Sequence, residues 1–287
     1  MSDHMGETRV VGWIARALLG SKLYHGTAAI LSGEVNAMPS RLPSPGALAK
    51  FALGSAQIAL LQPYVGVKGG ASAACPNPQT QFWDANPSTG PSDSWTIHGL
   101  WPDRCDGSFE QYCDSSRQYT DISGIVQSAG NQNLLELMNT YWKDVNGNDE
   151  SFWEHEWGKH GTCISTLDTG CYTDYAPHEE LLDFLNTTVT LFQHLDTYQT
   201  LANAGIVPST TATYTLAEIQ DAISSVRGYA VTLGCQRGQL NEVWYHFNVM
   251  GSVQTGTFLP TSPDGSKSTC PSTGIKYLPK SQNAGTR

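Results

Sequence analysis

The stretch that most constrains this chain runs from residue 152 to 163 and reads Phe-Trp-Glu-His-Glu-Trp-Gly-Lys-His-Gly-Thr-Cys. It predicts one helix that ends at Gly161, a residue type favoured just after a helix. At about 100° per residue, the reactive side chains share one face roughly 140° wide: His155, Glu156, Lys159 and His160. Trp153 and Trp157 lie four residues apart on the neighbouring face, so we expect them to anchor the helix in the core.

Three interpretations of this helix assign its polar side chains different roles. A surface helix would pair Glu156 with Lys159 or His160. A zinc helix would need histidines at i and i+4, but they are at i and i+5 here, and Cys163 follows too closely to complete a zinc pattern. An acid–base site on an anionic substrate needs a base, an acid and fixed positive charge on one rigid element, and this helix can supply them.

A second segment, Trp95-Thr96-Ile97-His98-Gly99-Leu100-Trp101-Pro102-Asp103, supplies another histidine. A lone histidine after a strand-like run is usually a hydrogen-bonded core residue. Taken together, however, the two segments resemble the two active-site segments of the ribonuclease T2 family. The resemblance runs from about residue 79 to the C-terminus and is closest to the secreted fungal members.

The resemblance implies an α+β fold, with an antiparallel β-sheet core, several packed helices and disulfide bonds. It implies a metal-independent endoribonuclease that cleaves single-stranded RNA through a 2′,3′-cyclic phosphate to 3′-phosphate ends, with an acidic pH optimum. Such an enzyme uses the 2′-OH of its substrate as nucleophile, so DNA is not cleaved. No cofactor and no metal are expected, and the protein is expected to be a monomer.

The same resemblance assigns roles to the five reactive side chains. His160 is the expected base and His98 the expected acid, although the residue types alone allow the reverse. Lys159 would offset charge on the phosphorane, and His155 would hold the phosphate. Glu156 would orient or tune a histidine, or hydrogen-bond the phosphate when protonated.

The expected substrate-binding residues lie around these five. Trp101 and Phe109 would stack on bases, and Phe109 stands where the family commonly has a tyrosine, so a hydroxyl contact is lost. Asp103 would bind a base edge, Phe152 would line a second base pocket, and Gln81 is a further candidate there.

Charge and cysteines narrow the functional class. The formal net charge of the 287 residues is −10, which argues against a simple nucleic-acid binder. Seven cysteines without a CxxC spacing predict disulfides in an oxidising compartment, hence a secreted protein or one in a vacuolar or lysosomal lumen. The resemblance pairs Cys113 with Cys163 and Cys235 with Cys270. It ties Cys105 and Cys171 to an N-terminal lobe, where Cys75 can serve only one of them.

The N-terminal quarter of the chain has the pattern of a processed segment rather than of a folded domain. Residues 1–37 are expected to be a disordered upstream extension. Residues 38–73 are similar to a signal peptide, with two basic residues, an apolar run at 51–61 and a small-residue cleavage site; an amphipathic or core helix is the alternative. Residues 74–287 are then the ribonuclease T2-like domain, without a stable membrane span in the mature form. Asn186 begins a glycosylation sequon.

Periodicity places most elements in this domain. Predicted helices cover Ile122–Ser128, Asn133–Lys143, His178–Ala204 and, after a capping box at Thr215, a segment to Arg227. Predicted strands cover Gln79–Trp83, Trp95–Ile97, Tyr229–Leu233 and Val243–Met250. The functional alternative is a secreted binding or cytotoxic protein that keeps the fold with reduced or no ribonuclease activity.

Overall fold

The structure, a computed structural model, describes residues 77–265 and 267–281, and this part contains seven strands and six α-helices. The strands are β1 (Asn77–Phe82), β2 (Thr96–Leu100), β3 (Thr213–Tyr214), β4 (Thr232–Gln236), β5 (Gln239–Met250), β6 (Thr257–Thr261) and β7 (Ile275–Lys276). The helices are α1 (Ile122–Ser128), α2 (Gln132–Tyr141), α3 (Asp149–Lys159), α4 (Glu179–Gln193), α5 (Thr197–Asn203) and α6 (Leu216–Arg227).

The sheet is built around β5, its longest strand. The strand order is β2-β1-β5-β7-β3, and β4 and β6 also pair with β5. All pairings are antiparallel except a single parallel contact between β5 and β7. Val243, Tyr245 and Phe247 are buried on one face of β5, as the alternation predicts. The α+β expectation, with a mainly antiparallel sheet and packed helices, is confirmed.

Helix α3 is anchored through its tryptophans, as expected. Trp153 and Trp157 are both buried, and their indole nitrogens donate to the carbonyls of Trp142 (2.9 Å) and Arg117 (2.6 Å). The helix ends at Lys159, and His160 caps it. The expected end at Gly161 lies two residues beyond the last helical residue, at the start of a 3₁₀ turn.

The predicted helix over His178–Ala204 was wrong in one respect, because two helices occupy this range. Helix α4 ends at Gln193, and the Asp196 side chain accepts from the backbone nitrogen of Gln199 to begin α5. An aspartate at this position satisfies the free amides of a new first turn. Helix α6 ends at Arg227 as predicted, and Gly228 caps it in a left-handed conformation. The strand predicted from Tyr229 begins three residues later, at Thr232.

Two disulfides confirm the expected pairs Cys113–Cys163 and Cys235–Cys270. Cys105 is also disulfide-bonded, whereas Cys171 is an exposed free thiol. The alternative in which Cys75 pairs with Cys171 is therefore wrong. Cys75 lies outside the described residues.

The predictions for residues 1–37 and 38–73 also lie outside the described residues and stay predictions. In the part that the structure describes, no helix has the length and apolar character needed to cross a membrane. Asn186 lies within α4, and its amide nitrogen donates to the carbonyl of Leu182 at 2.8 Å. Its glycosylation stays a prediction.

Candidate active site

Strand β2 brings His98 to the C-terminal half of α3. The His98 ring stacks on Phe82 with centroids 3.9 Å apart and meets the edge of Trp101 at 4.6 Å. Its backbone carbonyl accepts from the indole of Trp142 at 2.9 Å, which ties β2 to the end of α2. The two segments singled out in the sequence are therefore adjacent in the fold.

Glu156 is the buried centre of the site, with no exposed surface. Its Oε2 accepts from the Trp101 indole at 2.9 Å, and its Oε1 lies 3.6 Å from Nε2 of His98. Burial raises the pKa of Glu156 to about 8, against the smaller lowering effects of the Trp101 hydrogen bond and Lys159. The carboxyl thus faces His98, and the ion pairs with Lys159 or His160 expected of a surface helix do not form.

A glycine makes this approach of helix and strand possible. A Cβ atom on Gly99 would clash with the carboxyl of Glu156 and stand 2.9 Å from the Trp101 indole nitrogen. Any larger residue would therefore push Glu156 away from β2. Gly99 is needed for the close packing at the site rather than for a turn.

His160 lies on the other side of the Trp101 ring and is almost fully buried. The two rings stack with centroids 5.0 Å apart, and Phe109 is 6.0 Å from the imidazole. Burial lowers the pKa of His160 to about 3, helped by Lys159 and His155. Burial also lowers the pKa of His98 well below its ordinary value, helped by His160, Lys159 and His155.

Lys159 and His155 complete the site on its more exposed side. The Lys159 ammonium lies 5.8 Å from the centre of the Phe109 ring. Nδ1 of His155 is 3.3 Å from the Tyr112 hydroxyl, and burial and Lys159 both lower the pKa of His155. All five reactive side chains expected from the sequence are therefore brought together.

Most of the expected substrate-binding residues border this cluster. Phe109 is half exposed beside His160, and its backbone pairs with that of Asp103. Burial raises the pKa of Asp103 to about 7. Phe152 lies 5.8 Å from His98 at one wall of a cavity of about 560 Å³. Trp101 packs between the two histidines, so its ring is part of the acid–base arrangement.

Gln81 does not reach the site, and the expectation for it was wrong. Its side chain is fully buried; Nε2 donates to the carbonyl of Leu195 at 3.2 Å, and Oε1 accepts from the Thr197 hydroxyl at 2.5 Å. Successive residues of a strand point to opposite faces. The site face of β1 is therefore occupied by the next residue, Phe82.

Sequence reasoning missed three aromatic residues at the site. Phe82 stacks on His98, Trp244 meets the edge of Trp101 at 5.2 Å, and Tyr112 contacts His155. The alternation of side chains along β5 had placed Trp244 on the face opposite the core residues Val243 and Tyr245, but it did not indicate what Trp244 contacts. One feature of the sequence could have indicated Tyr112: it precedes Cys113, and the expected disulfide of Cys113 with Cys163 brings this segment to the end of α3. Among the described residues, no three His, Cys, Asp or Glu side chains are grouped to hold a metal ion.

The arrangement can be compared with known proteins. Residues 71–256 match the model of the ribonuclease T2 family. The chain belongs to the ribonuclease T2 family. The resemblance inferred from the two histidine segments is thereby confirmed, and the chain is similar to several fungal proteins. One is the ribonuclease T2-like protein of Aspergillus fumigatus, 62% identical over 209 residues, which cover 73% of this chain and 51% of that protein.

Other relatives cover more of their own length. Ribonuclease Trv of Hypocrea rufa is 63% identical over 202 residues, or 70% of this chain and 86% of that protein. The chain thus spans about half the length of the Aspergillus fumigatus ribonuclease T2-like protein, but most of ribonuclease Trv. Among solved structures, Actibind, described as a T2 ribonuclease, has a TM-score of 0.72 and 49% identity, over 75% of this chain and 93% of that one.

Proposed function

We propose that this chain is a metal-independent endoribonuclease that cleaves single-stranded RNA by transphosphorylation. The observation that carries the proposal is the pair of imidazoles, His98 and His160, in contact with the same Trp101 ring and flanked by Glu156 and Lys159. RNA supplies its own nucleophile, so the enzyme needs a base, an acid and positive charge near the phosphorane.

His160 is suited to be the base that takes the proton from the 2′-OH. Its pKa is lowered to about 3, chiefly by burial, so its imidazole is mostly neutral at mildly acidic and neutral pH. No carboxylate faces it among the described ion pairs. A neutral imidazole next to a bound 2′-OH can accept a proton without first losing one.

His98 is suited to be the acid that protonates the leaving 5′-oxygen, because Glu156 gives it a proton source. Below pH 8 the carboxyl of Glu156 is mostly protonated, and it lies 3.6 Å from Nε2 of His98. The pair therefore holds one proton in a buried place. Arrival of a negatively charged phosphate favours transfer of that proton to His98, since the imidazolium then has an anionic partner.

Lys159 and His155 would bind the phosphate and offset the charge that develops on it. Both lie at the C-terminal end of α3, on the more exposed side of the cluster. Phe152 lies beside His98 and Phe109 beside His160, so bases next to the scissile phosphate can stack there. Only an unpaired strand presents its bases in this way.

The disulfides favour an oxidising environment for the folded protein. Cys113–Cys163 and Cys235–Cys270 both form within the described part of the chain. We therefore place the protein outside the cell or in a vacuolar or lysosomal lumen, acting as a monomer.

The test is an RNA-cleavage assay on the full chain from pH 3 to 9, with and without EDTA. We expect an acidic optimum, no loss with EDTA, cyclic-phosphate products, and no cleavage of an oligonucleotide with one 2′-deoxyribose at the scissile position. His98→Phe or His160→Phe is expected to lower kcat by about 10³-fold or more. His194→Phe, an exposed histidine after α4, is the control.

Three results would contradict the proposal: loss of activity with EDTA, cleavage of the deoxy substrate, or binding of RNA without cleavage. The last result would identify the chain as a T2-fold binding protein.

A further inference from the structure

Tyr112 has a backbone conformation that side chains other than glycine rarely adopt, with φ of 52°. Its backbone nitrogen donates to the carbonyl of Lys159 at 3.0 Å, and the next residue, Cys113, is bonded to Cys163. The hydrogen bond and the disulfide bond both connect this segment to the C-terminal end of α3. An unfavourable conformation of this kind persists only where the surroundings enforce it, and it is often found at functional sites.

The enforced conformation places the Tyr112 side chain against His155. Its hydroxyl is 3.3 Å from Nδ1 of the imidazole, and the two rings meet edge to face with centroids 6.3 Å apart. No hydrogen bond among the described residues occupies Nε2 of His155. The ring is thus held at one nitrogen, and the other nitrogen is available to a ligand.

This contact matters because a neutral imidazole carries only one N–H, and either nitrogen can hold it. In the Nδ1–H tautomer, Nε2 would present a lone pair, which repels a phosphate oxygen. In the Nε2–H tautomer it presents a donor. A phenol hydroxyl is a stronger donor than acceptor, so next to a neutral ring it favours the tautomer that accepts at Nδ1 and carries the proton as Nε2–H. When the ring is charged, the hydroxyl can accept from Nδ1–H, and Nε2–H is again a donor.

We propose that Tyr112 is a positioning residue that holds neutral His155 in the Nε2–H tautomer, so that the RNA phosphate meets a hydrogen-bond donor whether or not His155 is charged. The phosphate-binding part of this inference rests on the proposed ribonuclease function. The tautomer part concerns the free protein and can be tested without RNA.

The surroundings of His155 make such control necessary. Besides Tyr112, the titratable group that acts on it is Lys159 on the same helix, and His155 in turn lowers the pKa of His160 at the helix end and of His98 on β2. Burial and Lys159 lower the pKa of His155 below its ordinary value. A larger fraction of the ring is therefore neutral at mildly acidic pH, where the identity of the protonated nitrogen decides whether the phosphate is bound.

The first test is Tyr112→Phe, which keeps the ring and removes the hydroxyl. Nitrogen-15 spectra of the free protein, labelled at histidine, are expected to show His155 as Nε2–H in the unmodified chain and as a mixture of tautomers in the variant. Tyr229→Phe removes an equally exposed hydroxyl after α6 and is expected to leave the His155 signals unchanged. The same tautomer in both the chain and Tyr112→Phe would overturn the proposal.

The second test measures RNA cleavage by the same variants. Loss of one hydrogen bond corresponds to about 3- to 10-fold in binding, so we expect KM of Tyr112→Phe to rise by about that factor at pH 7. As pH falls and a larger fraction of the ring is charged, the rise in KM is expected to become smaller, and kcat is expected to change little at any pH.

In a His155→Phe background, Tyr112→Phe is expected to have no further effect on KM. A pH-independent rise in KM, or an equal effect without His155, would assign Tyr112 a merely structural role. If the chain cleaves no RNA at all, the proposed function fails, while the spectra still decide the tautomer.

Discussion

Replacing the buried carboxyl of Glu156 should stabilise the protein at neutral pH while damaging its activity. Glu156→Gln keeps the shape of the side chain and an acceptor for the Trp101 indole, but removes the ionisable group. The pKa of Glu156 is raised from an ordinary 4.5 to about 8 in the folded chain. Its protonated form therefore stabilises the fold below pH 4.5, and this contribution is lost as pH rises through 8.

The magnitude follows from that difference. A shift of one pKa unit corresponds to about 1.36 kcal/mol. The raised pKa of Glu156 therefore lowers the free energy of unfolding by about 3 kcal/mol at pH 7 and by only a few tenths of a kcal/mol at pH 4. Solvent does not reduce this cost, because the side chain has no exposed surface. Glu156→Gln is therefore expected to raise the free energy of unfolding by about 3 kcal/mol at pH 7, and hardly at all at pH 4.

Urea denaturation followed by tryptophan fluorescence at pH 4, 5, 6 and 7 measures this effect. Slopes of the free energy against urea that are equal in the two proteins would show that the variant unfolds from the same fold. Glu136→Gln, at an exposed position of α2, is the matched control and is expected to be neutral at every pH. The cleavage rate of Glu156→Gln should fall, because the proton source for His98 is lost.

A destabilised Glu156→Gln variant at pH 7 would refute the reasoning, because the carboxylate would then be stabilising where it lies. An increase in stability that is the same at pH 4 and pH 7 would also refute it, since the gain would not come from ionisation. Full activity of the variant would exclude Glu156 as the source of the proton on His98.

Three further outcomes follow from the contacts around the site. Gly99→Ala is expected to lower kcat/KM by about 100-fold, because the new methyl displaces Glu156 from β2; far-ultraviolet circular dichroism should show the fold retained. Trp101→Phe leaves Oε2 of Glu156 without its donor and is expected to cost about 1–3 kcal/mol in urea unfolding; no loss would contradict that hydrogen bond. Replacing Cys113 and Cys163 by alanine is expected to cost about 2–4 kcal/mol in the same assay; an unchanged midpoint would show that the bridge does not stabilise the end of α3.

Local patterns in the sequence were sufficient for several features. The 3.6-residue period grouped four reactive side chains on α3 and assigned Trp153 and Trp157 to the core. The pairing of Cys113 with Cys163 came from the family resemblance instead, which needed only the two histidine segments. These features depend on residues close together in sequence or on motifs short enough to read directly.

The rest depended on contacts between distant segments. Gln81 and Phe82 are adjacent in sequence, and only the pairing of β1 with β2 and β5 decided which of them faces His98. The partner of Glu156 could not be read from α3, because Lys159 and His160 are near in sequence whereas His98 and Trp101 are near in space. The conformation of Tyr112 likewise results from its ties to the end of α3.

The sequence by itself therefore determined which residues could perform the chemistry, and the tertiary structure decided how they are paired and protonated. The physical reason is that periodicity sets the direction of a side chain relative to its own helix or strand. Burial, which moves the pKa of Glu156 up and that of His160 down, depends on what lies opposite. Those neighbours come from β2, α3 and the loop that carries Phe109 and Tyr112, and only the folded chain brings them together.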